Sequence, residues 1–416
     1  MRMRPCFSSV LIHPFIMVVV LLLFLLLDHR LAFGHPPLTR LEPFELGHER
    51  TIALPEIPSR SVSIKTLNVD PPIFAIENFL LPNECQHIIR LAQNAGLETS
   101  QAGEPVNDDV TMEDSDYEEA WKAWDTDGDA QLTRAEIVDG MREFTQTVLT
   151  EDDVERMFNE LGMDENGDGT LDFDEFKNAN INDMDGFLDD VEESRPVFKT
   201  RYSRQAWLNQ GGQDVDVVLE TLRERLLHVT GLPRVVVETS ESLQVVHYDH
   251  RGHYHCHMDS DHYSPSDNMT CCHFDRRDET LGNGRRCALC RYLTLLYYLN
   301  DVTLGGATAF PFAHANATFQ DSGPEFQRLC NLSAQCDSGV VVTPKMGTAV
   351  LWYSHRLDDG GQIGEIDLRT YHGGCDVLDG EKWIANNWID VDATENFYTR
   401  SERSDSEYDT QTHSEL

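Results

Sequence analysis

Two patterns in this sequence could bind metal ions, and they belong to opposite kinds of chemistry. One is an oxygen-rich loop of twelve residues that occurs twice. Asp125-Thr-Asp127-Gly-Asp129-Ala-Gln131-Leu-Thr133-Arg-Ala-Glu136 and Asp164-Glu-Asn166-Gly-Asp168-Gly-Thr170-Leu-Asp172-Phe-Asp-Glu175 carry oxygen ligands at positions 1, 3, 5, 7, 9 and 12. That spacing folds the backbone around calcium, a hard cation, and the glutamate at position 12 closes the cage with both oxygens. The candidate ligands are Asp125, Asp127, Asp129, Gln131 and Glu136 in the first loop, and Asp164, Asn166, Asp168, Thr170 and Glu175 in the second. A single loop of this kind can be no more than a solvated acidic turn; two of them, 39 residues apart with helical sequence between, read as a pair. One departure is Ala130 at the sixth position, where glycine ordinarily permits the sharp turn.

The other pattern is softer and longer in range. On a strand, residues i and i+2 point the same way, so His257-Met-Asp259 can grip one metal from one face. Two histidines and a carboxylate on one side of a metal, with the other positions open, suit non-haem iron(II) and its oxygen chemistry. His-x-Asp alone is common by chance. Here His372 follows on a distant strand and can complete the triad, and Lys382 lies ten residues beyond it. A buried lysine can hold the far carboxylate of 2-oxoglutarate by a charge-assisted contact, and decarboxylation of that keto acid by dioxygen yields succinate and carbon dioxide while a substrate C–H bond is oxidised. Neighbouring His247, His250, His253, His255 and His262 are expected to be surface or supporting groups.

The elements that must position these residues follow from periodicity. Thr150-Glu-Asp-Asp153 resembles a capping box, and Val154, Met157, Phe158 and Leu161 form the apolar face of the helix it starts. Leu132 and Leu171 hold the eighth positions of the two loops, where paired EF-hands join by a short ladder. Elsewhere, a strand is expected at Ile73–Ile76, a helix reaching about Ala95, and a helix at Val215–Val229. Strand-like runs follow at Leu243–Tyr248, Tyr292–Leu299, Gly339–Val342, Thr348–Tyr353 and Trp383–Ile389. The expected fold class is α+β: an antiparallel double-sheet barrel with an inserted all-α EF-hand pair. The expected parts are a signal peptide or signal-anchor at 1–34, a Pro-rich linker at 35–66, a discontinuous catalytic domain at 67–101 and 198–395, the EF-hand pair at 113–190, and a polar tail at 396–416.

Charge and cysteines bound the setting. The formal net charge is −39, and residues 104–193 hold 31 acidic against 5 basic residues. No basic footprint for nucleic acid is present. Arg2 and Arg4 precede an apolar run centred on Phe15–Leu27, which directs the rest of the chain into the secretory lumen. Cleavage after the leader and retention as a membrane anchor both stay open. Sequons at Asn268, Asn316 and Asn331 agree with that route. Eight of the ten cysteines lie in residues 256–375, where disulfides are plausible, and Cys287-x-x-Cys290 reads as structural rather than zinc-binding or redox. The C-terminal His413-Ser-Glu-Leu416 resembles an endoplasmic-reticulum retrieval signal, with Ser at its second position as a departure.

Six stretches together resemble the prolyl 4-hydroxylases: Leu243-Gln-Val-Val-His-Tyr248, Tyr254-His-Cys-His257-Met-Asp259, Arg291 through Asn300, Gly305-Gly-Ala-Thr-Ala-Phe-Pro311, Lys345 through Tyr353, and His372-Gly-Gly-Cys375 through Lys382-Trp383. The resemblance covers nearly all of 67–101 and 198–391, and the EF-hand insertion and Trp383-Ile-Ala-Asn-Asn-Trp388 point to the branch with a lumenal catalytic domain. It implies a double-stranded β-helix (jelly-roll) dioxygenase, iron ligands His257, Asp259 and His372, and 2-oxoglutarate held by Lys382 with Tyr248 and Thr294 as helpers. It implies that Tyr254 and Trp388 border the substrate proline, and that O2 and ascorbate serve as co-reactants. The implied partner is a proline-containing protein or peptide in the endoplasmic reticulum, with the membrane engaged through the N-terminal segment if that is not cleaved. Relatives in this branch are associated with hypoxia-inducible factor; no collagen-type peptide-binding domain is evident. Asp376 stands where apolar residues are usual. The competing readings are a lysyl oxidant with the same metal, and a lumenal calcium-binding protein whose barrel is inactive.

Overall fold

The computed structural model describes residues 37–392, except 57–59, 101–113, 142–148, 180, 195–198, 213–214, 278, 317–318 and 322. The leader and the polar tail therefore lie outside the described residues, and no helix among the described ones is long and apolar enough to cross a membrane.

The frame is a nine-stranded sheet facing a five-stranded one. At the centre of the large sheet, strand Arg291–Tyr298 pairs antiparallel with Ala349–Tyr353 on one side and Lys382–Asp390 on the other, and the latter pairs with Leu243–Tyr248. These strands are buried on both faces, and their alternation sorts the side chains. Leu293, Leu295, Tyr297, Trp383, Ala385, Leu243 and Val245 join a core shared with helices Pro82–Ala95 and Val217–Thr230. Leu296, Tyr298, Val246, Tyr248 and Ile384 join a second core between the sheets. By the same period of two, Thr294, Lys382, Asn386 and Trp388 share the inner face. The polar residues of the site are thus interleaved with the apolar ones that close the barrel.

The helices covering the outer face are fixed by burial and by one ion-pair cluster. Leu222 and Leu226 are fully buried, each contributing about 1.5–3 kcal/mol of apolar burial. Arg225, on the same helix, is 2% exposed and donates to both oxygens of Glu84 and to the Phe79 carbonyl, with Glu56 alongside. Removing one partner would leave a buried charge uncompensated, at about 3–5 kcal/mol.

The five-stranded sheet contains Val340–Val342, Thr308–Phe310, His372–Gly374, His253–His257 and Arg201–Tyr202, in that spatial order. Residues 35–66, expected as a linker, differ from that expectation. Strand Glu49–Ala53 and most of strand Ser61–Asn68 lie there, extending the large sheet beyond Ile73–Glu77. Ser61–Asn68 buries every second residue (Val62, Ile64, Thr66, Asn68), a two-residue period that the surrounding prolines and charges concealed.

The acidic module has a core of its own. Helices Asp114–Trp124, Arg134–Met141, Glu151–Leu161, Phe173–Asn178 and Ile181–Ser194 enclose Leu132, Ile137, Met157, Phe158, Leu171 and Val191. Thr150 caps its helix as the sequence indicated, accepting from Asp153 N while Asp153 accepts from Thr150 N. Three disulfides brace the catalytic region: Cys271–Cys290, Cys272–Cys287 and Cys336–Cys375. Cys287 and Cys290 are therefore bonded to neighbours on the adjacent strand, not to each other.

Candidate active site

His257 ends its strand and His372 begins the next one, and the two are direct partners in the ladder. Their rings lie 4.5 Å apart. Asp259, two residues past His257, completes the cluster: its carboxylate is 3.8 Å from His257 Nε2 and 3.5 Å from His372 Nε2. One ligand atom from each of the three lies within 4.8 Å of the others. A metal ion would fit between them.

Each donor is aimed by a further contact. His257 Nδ1 faces the His255 carbonyl at 3.0 Å and His372 Nδ1 the Thr370 carbonyl at 3.1 Å, which leaves both Nε2 atoms for a ligand role. Burial, helped by His372, pushes His257 down to about 3, so its imidazole is the neutral donor a metal needs. Asp259 is buried, yet the adjacent histidines, Arg291 and the Thr294 hydroxyl hold its carboxyl below the usual carboxylate range. Thr294 Oγ1 donates to Asp259 Oδ2 at 2.6 Å. This residue was expected to help hold the diacid; its hydroxyl is engaged with the metal-side carboxylate instead.

Lys382 opens the strand Lys382–Asp390 opposite Tyr248 and is 1% exposed. Its Nζ lies 5.1 Å from the centre of the Tyr248 ring and 5.9 Å from that of Tyr298. Burial alone pushes its pKa down to about 7, and no acidic side chain offsets that shift. An internal cation with no carboxylate beside it among the described residues is suited to receive one from a ligand. Tyr248, raised to about 12 by burial, remains a neutral phenol at its side. Gly374 leaves room beside the ammonium, since a Cβ there would meet Lys382 Nζ at 3.4 Å.

His257, Asp259, His372, Lys382 and Tyr248 line one cavity of about 480 Å³ together with Tyr254 and Trp388. Tyr254 stacks on His257 with centroids 3.6 Å apart, and Arg201 lies over its other face at 4.5 Å. Trp388 sits under the Arg291 guanidinium at 3.9 Å and beside Trp207 at 5.8 Å, and its indole N–H is buried with no acceptor. Arg291 also donates to both oxygens of Glu241 and to the Asp259 carbonyl. The sequence reading did not single out Arg201, Arg291 or Glu241. Arg291 had a visible signal, a charge opening an apolar strand; Arg201 and Glu241 had none.

Among the described residues, His247, His253, His255 and His262 lie outside the triad. His247 pairs with Glu381 and His253 lies between the Arg251 and Lys199 carbonyls. Asp376, an acid in an expected apolar position, is explained by Arg251 at 3.1 Å and the Ser333 hydroxyl.

In the acidic module the first loop gathers Asp125, Asp127 and Glu136 into a cluster able to hold a cation. Glu136 accepts from Thr126 N at 3.0 Å and Thr133 N at 2.9 Å, and Glu175 accepts from Glu165 N and Asp172 N in the same manner. Asp164 accepts from Gly167 N and Gly169 N. Asp129 and Asp168 accept the amides of Gln131 and Thr170, whose side chains bond across the loops. Asn166 accepts from Asp168 N. Leu132 and Leu171 exchange both backbone hydrogen bonds, at 2.8 and 3.0 Å, joining the loops back to back. Ala130 adopts φ 66° where Gly169 adopts φ 89°, so the alanine takes the turn at a steric cost.

Comparison with known proteins agrees with both regions. The profile of the 2OG-Fe(II) oxygenase superfamily matches residues 243–390, and that of the EF-hand domain pair matches residues 114–179. The chain is 36% identical over 372 residues to the transmembrane prolyl 4-hydroxylase of Mus musculus, covering 86% of this chain and 70% of that protein, and equally identical to the Homo sapiens protein. It is 35% identical over 196 residues to the prolyl 4-hydroxylase subunit alpha-2 of Gallus gallus, covering 46% of this chain and 26% of that one. Among solved structures, the viral collagen prolyl hydroxylase of Paramecium Bursaria Chlorella virus-1 aligns at 20% identity with a TM-score of 0.29, over 50% of this chain and 88% of that one.

Proposed function

The chain belongs to the prolyl 4-hydroxylases of the 2-oxoglutarate- and iron(II)-dependent oxygenases, and from that premise we propose how its own residues carry the reaction. It is a dioxygenase that spends O2 and 2-oxoglutarate to hydroxylate proline in a protein substrate. When bound, iron(II) supplies the oxidation of the substrate C–H bond. His257, Asp259 and His372 would hold it, on the strength of their convergence and of the Nδ1 contacts that leave both Nε2 atoms for a ligand role. Thr294 keeps the carboxylate turned toward the metal. The observation that carries the cosubstrate reading is Lys382, a buried cation with no acidic side chain beside it, which binds the distal carboxylate of 2-oxoglutarate with Tyr248 at its side.

Trp388 forms a wall of the groove against which a pyrrolidine ring packs, and Tyr254, its ring already held between His257 and Arg201, borders the same space. Arg201 and Arg291 hold those two rings from behind. A charged lysyl side chain would meet like charge there, from the Arg201 and Arg291 guanidiniums on those rings. Ascorbate is the co-reactant that membership of the family implies.

The EF-hand pair binds calcium through Asp125, Asp127, Asp129, Gln131 and Glu136 and through Asp164, Asn166, Asp168, Thr170 and Glu175. Calcium acts on the groove through the exit of the module: Arg201–Tyr202 pairs with the strand bearing Tyr254 and His257, and Arg201 lies on the Tyr254 ring. The three disulfides suit the lumen of the endoplasmic reticulum, with the N-terminal segment as membrane anchor or cleaved leader.

The test is a 2-oxoglutarate turnover assay on full-length protein with proline peptides of the hypoxia-inducible-factor type and of the collagen type, and with a lysine peptide, each with calcium or with chelator. Hydroxyproline found by mass spectrometry in a proline peptide, with a calcium-dependent KM, is expected. Turnover with the lysine peptide alone would favour the lysyl reading, and no coupled turnover with any peptide would favour an inactive barrel.

A further inference from the structure

Six of the nine cysteines beyond the leader are paired, and Cys85, Cys256 and Cys330 carry free thiols among the described residues. Cys85 is sealed in the main core. The other two meet. Cys256 precedes His257 on its strand, so its side chain points to the opposite face of the sheet from the triad. There it packs with Ala309, Leu332 and the Cys336–Cys375 bridge. Cys330 ends helix Pro324–Cys330 two residues before Leu332, whose N–H donates to the Cys330 carbonyl at 3.0 Å, so Cys330 lies beside the patch that holds Cys256, and the two thiols interact. The segment that follows stays on this patch. Leu332 presses on Gly373, where an added Cβ would come within 2.6 Å of it; Ser333 bonds Asp376; Cys336 is joined to Cys375.

We propose that Cys256 and Cys330 form a fourth disulfide, so that the segment Cys330–Cys336 is bonded at one end to the strand of His257 and at the other to the end of the strand of His372. The ladder between those strands is short: it contains the pairs His372↔His257 and Gly374↔Tyr254, with an irregularity between them. Few backbone hydrogen bonds therefore fix the distance between the two imidazoles. A segment bonded to both strands supplies that constraint from outside, without touching the metal face. The oxidant is a protein disulfide of the secretory compartment. Its sulfur–sulfur bond breaks and takes up two electrons and the two protons released by Cys256 and Cys330, leaving two thiols on the donor and one new sulfur–sulfur bond here.

The experiment uses full-length protein made through a eukaryotic secretory pathway, alkylated without reduction, digested and mapped by mass spectrometry. A cross-linked peptide containing Cys256 and Cys330, with neither residue alkylated until a reductant is added, is the expected result. Alkylation of both in folded protein, or either sulfur bonded to another cysteine, overturns the proposal. The bracing role is read separately on Cys256→Ala/Cys330→Ala. Its melting temperature should fall by about 5–10 °C, and cobalt(II) affinity of the iron-free protein, followed by visible absorption, by about tenfold. Cobalt affinity equal to wild type would overturn that role, and if the double variant does not fold, the wild-type map still decides whether the bond exists.

Discussion

The proposed iron site and the calcium loops hold cations by opposite means. In the calcium loops the ligands come from one stretch of chain, run from exposed aspartates to the buried closing glutamates, and are aimed by the loop's own amides, as when Asp125 accepts from Gly128 N and Asp129 from Gln131 N. In the iron site two strands from distant parts of the sequence deliver two imidazoles and one carboxylate into a buried space, each aimed by a separate neighbour. The difference teaches where each site is vulnerable. A calcium loop fails when its local turn is disturbed. The iron site fails when either strand shifts or a second-rank contact is lost.

The sharpest break between the two regions is His257→Ala, expected to lower 2-oxoglutarate turnover below about 1% of wild type, because even supporting partners of metal ligands are worth about 10–100-fold. Calorimetric calcium titration of the same variant should be unchanged. Glu136→Gln with Glu175→Gln is the converse: calcium affinity should fall by about two orders of magnitude while iron affinity holds. Next comes Lys382→Met, for which 2-oxoglutarate KM should rise roughly 10–150-fold, the range given by about 1.5–3 kcal/mol for a hydrogen bond to a charged group. The pH dependence follows from the same residue. Burial depresses Lys382 to about 7 in the free site, so the ammonium that binds the diacid is fully present below that pH and is lost above it. Affinity for 2-oxoglutarate should therefore be flat below pH 7 and fall about tenfold per unit above it, with proton uptake on binding visible in calorimetry across buffers. Affinity that rises with pH would contradict the role. Thr294→Val, which removes the 2.6 Å bond to Asp259, should weaken iron binding by about tenfold with little change in 2-oxoglutarate affinity. The smallest effect is Ala130→Gly, which relieves a left-handed alanine and should tighten the first calcium loop by about fivefold, about 1 kcal/mol.

The same contrast governs what the sequence reveals. A calcium loop is a local object, so both loops, the capping box at Thr150 and the Leu132–Leu171 ladder are readable from spacing alone. The central strands are readable because each is a short, mostly apolar run bounded by turns, with isolated polar residues such as Thr294 and Asn386. The iron triad was legible in part: His257 and Asp259 share a strand, but nothing local says that His372 is the partner of His257, and the resemblance to a family supplied that link. Residues that aim others are harder still. Thr294 looks like any threonine in a strand until Asp259 is seen opposite it. Arg201 is a short step in the chain after the acidic module, and only its stacking on Tyr254 marks it. The strand Ser61–Asn68 was missed because its neighbourhood is rich in proline and charge, and its pairing partner is what makes it a strand.

The chain leaves the large sheet at Glu98–Thr99 and returns at Arg204–Leu208, and these two segments are hydrogen-bonded neighbours, with Ser100 N donating to Ser203 O at 2.9 Å. Departure and return thus share one doorway. A detour of any length can be spliced in there while the strands on either side keep their places, since the gap to be bridged is one strand spacing. The oxygenase scaffold can accordingly acquire or shed the EF-hand pair as a single cassette, so long as Arg201–Tyr202 stays with the strand that bears Tyr254.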